Sequence, residues 1–190
     1  KRPRLFVMDN IDSDHFAALL DRLDLRRTLF VVISKSGTTA ETMAQFLICR
    51  RILMKTLGRD YARNVVAITD SNKGYLRQIA YREGYESFPV PDGVGGRFSV
   101  LSPVGLFPLA VVGVDIKALL AGAADMDCRC KVANLRRNPA FMAAAIQYLF
   151  YQRGKRLSVM MPYSQALRDI ADWYRQLWAE SLGKIRRRGL

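Results

Sequence analysis

The segment that most constrains the fold is Leu29-Phe30-Val31-Val32-Ile33, an apolar run that passes without a break into Ser34-Lys35-Ser36-Gly37-Thr38-Thr39-Ala40-Glu41-Thr42. A run rich in β-branched residues and uninterrupted by polar ones reads as a parallel strand buried on both faces, and the residues after Thr38 read as a long helix ending near Leu57. The turn between them places five hydroxyls in nine residues beside a lysine and a glycine. A helix N-terminus carries unpaired N–H groups and the positive end of the macrodipole. The hydroxyls gathered there, with the charge of Lys35, therefore make this turn a candidate seat for an anion such as phosphate. A plainer reading takes Thr38 and Glu41, spaced Thr-x-x-Glu, as a capping box. A cap needs fewer hydroxyls than this turn carries.

Strand and helix signals alternate on either side of it. Leu5–Met8 is expected to be a first strand and Ser13–Leu23 an amphipathic helix; Asn64–Thr69 is a further strand that closes on the loop Asp70-Ser71-Asn72-Lys73-Gly74. Tyr75–Glu83 reads as helix, and Ser87–Val90 as a short last strand kept at an edge by Pro89, which has no N–H to give a ladder. The expectation over residues 1–112 is an α/β fold, a doubly wound parallel sheet of four strands with flanking helices. A loop dense in glycine, from Pro91 to Ser99, leads into an apolar helix at Pro103–Val112. Helices at Asp115–Cys130 and Pro139–Tyr151 read as a connecting layer over 113–153. Arg156–Pro162 reads as a strand and Ser164–Lys184 as a long helix with an apolar stripe at Leu167, Ile170, Ala171, Tyr174, Leu177, Trp178 and Ser181, so a second α/β unit is expected to open over 154–190.

With 190 residues and 50% hydrophobic content the chain has ample material for a packed core. No stretch approaches the roughly 18 consecutive apolar residues of a membrane span, and the start lacks an apolar segment with a cleavage site. A soluble, cytoplasmic protein with no membrane partner is expected. Cys49, Cys128 and Cys130, with a single histidine, are too few for a disulfide framework or a zinc site, so no metal is expected. Lysine and arginine number 30 against 17 acidic residues, a net charge of +13. That balance points first to nucleic acid. The basic residues are nonetheless scattered along helices, gather only at Lys184–Arg188, and come with no nucleic-acid recognition motif; a positive field equally suits an anionic small molecule.

Three segments in order resemble one family: Ser34 to Thr42, then Gly95-Gly96-Arg97-Phe98-Ser99-Val100-Leu101-Ser102-Pro103-Val104-Gly105, then Trp178-Ala179-Glu180-Ser181-Leu182-Gly183-Lys184. They are similar to the phosphate loop, the signature loop and the catalytic-base segment of the glucose-6-phosphate isomerase family, and the resemblance spans essentially the whole chain. It implies a three-layer sandwich of the sugar isomerase (SIS) type. It also implies an aldose–ketose isomerase that interconverts glucose 6-phosphate and fructose 6-phosphate through a cis-enediolate, with no cofactor. By the same resemblance Ser34, Ser36, Thr39 and Thr42 hold the phosphate with the backbone of Lys35, and Gly95 and Gly96 form the substrate loop. Arg97 stabilises the enediolate oxygen, and Glu180 is the base that moves a proton between C2 and C1. Plainer readings stand beside these: Arg97 bridging loop carbonyls, Thr42 facing solvent or bonding back to its helix, and Glu180 paired with Lys184 one turn on. Glu41 is assigned to capping, because a carboxylate beside a dianion would repel it.

The resemblance further implies a ring-opening histidine, lent by the neighbouring subunit of a homodimer, and a lysine near the end of the complete enzyme. The one histidine, His15, lies between Asp14 and Phe16 and reads as a surface helix residue. The Gly-Ser turn that precedes the first strand in the family is absent. The expectation is an incomplete portion of such an isomerase, able to bind a sugar phosphate weakly and not to turn it over alone. Two other functions compete. A non-catalytic sugar-phosphate-binding regulatory domain would need neither Gly95-Gly96-Arg97 nor Glu180, and a basic nucleic-acid-binding module would lose affinity steeply with salt.

Overall fold

Val65–Thr69 is buried at every position, which is the mark of a strand with a neighbour on each side and helices above and below. In the computed structural model, which describes residues 2–183, this strand (β2) lies between β1 (Phe30–Ile33) and β3 (Glu86–Pro89), both parallel to it. Phe30 faces Val65 and Ile33 faces Ile68 across one seam, while Val66 faces Glu86 and Thr69 faces Pro89 across the other. Pro89 thus stands on the strand at the edge of the described sheet, as its missing N–H requires. The chain divides into two compact units, Lys1–Ile116 and Lys117–Leu190.

In the first unit the crossovers are α2 (Ala40–Leu57) and α3 (Tyr75–Glu83), preceded by α1 (Ser13–Arg22). The strands run in simple order, so right-handed crossovers must lay both helices on one face of the sheet. They do so: Phe46 and Leu53 of α2 and Leu76 and Ala80 of α3 join Val32, Val65, Ala67, Tyr61 and Tyr85 in one core cluster. The alternate residues Val66 and Ile68 point the other way, to Val90 and to Val104 and Phe107 of α4 (Pro103–Val111). The result is three layers, helix–sheet–helix. Alternation along β2 and a helical stripe at Phe46, Cys49 and Leu53 are enough to build it.

One expected strand of this unit is absent. Leu5–Met8 forms no ladder, and residues 2–7 are exposed, so the described sheet has three strands and not four. A short apolar run becomes a strand only where a neighbour takes up its N–H and C=O groups, and none of the described residues does so here.

The second unit contains α5 (Ile116–Cys130) from Lys117 onward, α6 (Pro139–Gln152) and α7 (Arg168–Leu182). Asn138 fixes the join between the first two. It is fully buried, its Oδ1 accepts from the Phe141 N–H at 3.0 Å, and its Nδ2 donates to the carbonyls of Cys130 and Val132. Pro139 follows at the first helical position, where no N–H is needed. Of the expected stripe, Ala171, Tyr174, Leu177 and Ser181 are half-buried, while Leu167, Ile170 and Trp178 are exposed. Arg156–Pro162, expected as the strand opening a second α/β unit, has no ladder and is exposed from Arg156 to Met161. Among the described residues this unit is helical, because that run has no partner strand and Pro162 lacks an N–H. Lys184 and the basic tail to Leu190 lie outside the described residues.

Candidate functional site

An open cleft of about 650 Å³ lies at the C-terminal edge of the sheet, lined by Ser34, Lys35, Ser36, Thr39, Asp70, Lys73, Gly96 and Ser99, with Ile33, Val90 and Val104 as its apolar floor. Ser34 follows β1, Asp70 follows β2 and Val90 follows β3, so all three strands deliver a residue to it. Parallel α/β sheets bind ligands at this edge, where each strand runs out beside the helix it feeds.

The turn from Ser34 to Thr39 is held from within. Ser34 is 5% exposed; its N–H donates to the Ile68 carbonyl at 3.0 Å, and its Oγ accepts from the Gly37 N–H at 3.1 Å and lies 3.3 Å from Thr39 Oγ1. Ser36 Oγ accepts from the N–H and the hydroxyl of Thr38 at 3.2 and 2.9 Å. Gly37 has φ +64°, and a Cβ there would stand 2.5 Å from the Leu76 nitrogen. Only glycine allows this left-handed residue to touch the start of α3.

The capping box expected from Thr38 and Glu41 does not form. The N-cap of α2 is Thr39, no side chain caps that helix, and the Thr38 hydroxyl is turned back to Ser36. The first N–H groups of an 18-residue helix are consequently left to an outside acceptor, beside the exposed hydroxyls of Ser36 and Thr39.

Lys35 points its ammonium into the loop after β3, donating to the carbonyls of Val94 at 3.0 Å and Pro91 at 3.4 Å. That loop leads to the N-cap Gly95 and a short helix, Gly96–Leu101. Ser99 Oγ donates to the Gly96 carbonyl and Ser102 Oγ to the Ser99 carbonyl, both at 2.6 Å, and Ser102 then caps α4. Gly96 borders the cleft, and a Cβ at that position would meet open space. Its smoothness leaves room there and answers no backbone strain. Arg97 is half-buried, with its guanidinium 4.9 Å from the Phe98 ring.

The sequence-predicted residues fall into three groups. Ser34, Lys35, Ser36, Thr39 and Gly96 come together on the cleft. Thr42, in the first turn of α2, and Gly95 and Arg97, on the loop, lie outside that lining. Glu180 stands on α7 in the second unit, exposed, its Oε1 accepting from Gln176 Nε2 at 2.8 Å; Lys184, its alternative partner, lies outside the described residues. His15 is exposed in the first turn of α1, where Asp12 caps its N–H.

Asp70 and Lys73 were not singled out by sequence reasoning. Asp70 Oδ1 accepts from the N–H groups of Asn72 and Lys73 at 2.9 and 3.0 Å, and those bonds hold its carboxyl below the ordinary range. Their signal is topological: β2 adjoins β1, so the loop after β2 must border the turn after β1.

A family model described as "Phosphoglucose isomerase" matches residues 1–189. A "Glucose-6-phosphate isomerase" of Carboxydothermus hydrogenoformans is 49% identical over 188 residues, covering 98% of this chain and 40% of that protein. A "Probable glucose-6-phosphate isomerase" of Methanococcus maripaludis is 50% identical over 182 residues, 96% of this chain and 41% of its own. Among solved structures, a hypothetical protein of Thermus thermophilus superposes with TM-score 0.92 at 41% identity over 98% of this chain and 44% of its own. A glucose-6-phosphate isomerase of Chlamydia trachomatis does so with TM-score 0.80 at 31% identity over 92% of this chain and 34% of its own. The chain spans about two fifths of the length of these curated relatives. With a family match over residues 1–189 and these likenesses in sequence and fold, the chain belongs to the phosphoglucose isomerase family.

Proposed function

We propose that this chain forms part of an aldose–ketose isomerase that interconverts glucose 6-phosphate and fructose 6-phosphate. The observation that carries the reading is the convergence of Ser34, Ser36, Thr39 and two lysines on a cleft beside an uncapped helix N-terminus. Hydroxyl and N–H donors of that kind fit a phosphate dianion, and the relatives named above carry the matching activity in their names.

In this reading the phosphate is anchored at the turn by Ser34, Ser36, Thr39 and Thr42 with the backbone of Lys35, and the Gly95-Gly96 loop gives the sugar room. A proton beside a carbonyl is then moved from C2 to C1 and back. Glu180 takes and returns it as general base, and the Arg97 guanidinium offsets the charge that grows on the enediolate oxygen. The chemistry needs proton transfer and no change in oxidation state outside the sugar. Activity in the cytoplasm, and a homodimer as the working assembly, complete the proposal; the three free thiols suit a reducing compartment.

Turnover of fructose 6-phosphate by the full polypeptide that carries this chain tests the reading. Glu180→Gln should lower kcat by about a thousandfold, in the span of removing a general base, with KM little changed. A full polypeptide inactive on both sugar phosphates overturns the function. Wild-type turnover in Glu180→Gln overturns the assignment of the base.

A further inference from the structure

Two lysines border the cleft, and they differ in what already holds them. The Lys35 ammonium donates to the carbonyls of Val94 and Pro91 at 3.0 and 3.4 Å. Two of its three protons are thereby directed at the main chain of the loop after β3. Facing an anion with a full set of donors would require Lys35 to leave those carbonyls. Its geometry is that of a strut between the Ser34–Thr39 turn and the segment leading to Gly95.

Lys73 comes to the same cleft from the loop after β2, and the loop is fixed beneath it. Asp70 Oδ1 takes the N–H groups of Asn72 and Lys73, and Arg77 Nε donates to the Asp70 carbonyl at 2.8 Å. The Asp70 N–H donates in turn to the Lys35 carbonyl at 3.2 Å, joining this loop to the Ser34–Thr39 turn. Gly74, at φ +94°, then sends the chain into α3. The N–H of Lys73 is held by Asp70, which Arg77 and Lys35 hold in turn, while the side chain of Lys73 is exposed at the cleft.

We propose that Lys73 is the lysine whose ammonium binds the phosphate group of the ligand, and that Lys35 acts as a positioning residue that ties the anion turn to the Gly95-Gly96 loop. The inference rests on the sugar-phosphate reading for the identity of the whole ligand, and on the cleft alone for the anion. An exposed ammonium on an ordered backbone, whose charge acts on the neighbouring Asp70 carboxylate until the anion arrives, gives a charge-assisted hydrogen bond without first breaking another. The attraction also reaches beyond contact and is screened by salt.

Calorimetric titration of the full polypeptide with inorganic phosphate, and separately with glucose 6-phosphate, decides it for wild type, Lys73→Met, Lys73→Arg and Lys35→Met. The expected result is that Lys73→Met weakens both ligands about tenfold, as loss of one charge-assisted hydrogen bond does, and flattens the salt dependence. Lys73→Arg restores most of the affinity. Lys35→Met weakens inorganic phosphate less than Lys73→Met does, and in the turnover assay it lowers kcat more than it raises KM. Thermal melts establish that each variant is folded. Inorganic phosphate binding within about twofold of wild type in Lys73→Met overturns the role of Lys73, and a larger loss in Lys35→Met reverses the two assignments. Wild type that binds inorganic phosphate in a Lys73-dependent way but ignores glucose 6-phosphate overturns the sugar-phosphate reading and leaves Lys73 in place.

Discussion

Gly37 touches the amide of Leu76 backbone to backbone: a Cβ on the glycine would stand 2.5 Å from the Leu76 nitrogen. The contact locks the turn after β1 against the first turn of α3, and it does so at φ +64°, where a side chain is strained even in open space. Gly84 supplies the control, left-handed at φ +71° and ψ +34° with nothing within 4 Å. Gly37→Ala should cost about 3 kcal/mol by urea denaturation and Gly84→Ala about 1 kcal/mol, the difference being the contact itself. Equal losses in the two variants would remove the interlock from the account.

Ser34 should matter to stability as well as to binding. Its buried Oγ accepts from the Gly37 N–H, so Ser34→Ala leaves that N–H without its acceptor. We expect about 1–2 kcal/mol lost on unfolding, together with weaker phosphate binding. Ser34→Thr, which keeps the oxygen, should recover part of the stability. A Ser34→Ala melt that matches wild type would show the hydroxyl to be idle.

Much of this arrangement is legible in the residues, and what is missing has a common physical cause. Periodicity finds α2, α3 and the strands around Val32 and Ala67, because a buried face repeats locally. Leu5–Met8 and Arg156–Pro162 carry strand-like composition, yet a strand exists only through a neighbour, and pairing is not a local property. The same limit hid Lys73. Nothing near it in sequence marks it as a cleft residue until β2 is placed beside β1. Thr38 and Glu41 had the spacing of a capping box, but the Ser36 hydroxyl competed for Thr38 and prevailed.

A partly buried polar cluster bears on the acid side of stability. The Tyr61 hydroxyl donates to Glu83 Oε2 at 2.7 Å, and Arg50 donates to Oε1 at 2.7 Å. With its proton committed to Glu83, Tyr61 accepts from Tyr85 at 2.9 Å. The Tyr61 hydrogen bond first, then the charge of Arg50, hold the Glu83 carboxyl below its ordinary range against the opposing effect of burial. A depressed carboxyl contributes stability above its unfolded pKa and loses it as pH falls through the folded one. The stability gap between wild type and Glu83→Gln should therefore be full at pH 7 and close progressively below about pH 4. A gap unchanged at low pH would contradict the assignment, and chemical melts across that range measure it.

Cys49 should be silent to thiol reagents. Burial pushes its thiol up to about 11, whereas Cys128 is exposed and Cys130 half-buried. Titration of the folded chain with a disulfide reagent at neutral pH should modify Cys128 readily and Cys130 more slowly, and should reach Cys49 only after unfolding. Prompt reaction of Cys49 would mean that α2 does not pack on the sheet as described.

In the proposed function the turn from Ser34 to Thr39 receives the phosphate of a hexose phosphate. The most direct measurement is an amide chemical-shift titration of the full polypeptide with glucose 6-phosphate, using unphosphorylated glucose as the control. The largest saturable changes are expected at the amides of Ser36, Gly37, Thr38 and Thr39, with smaller ones at Lys73 and Gly96, and none of these with glucose. Changes centred elsewhere in the chain, or shifts of equal size with glucose, would contradict it.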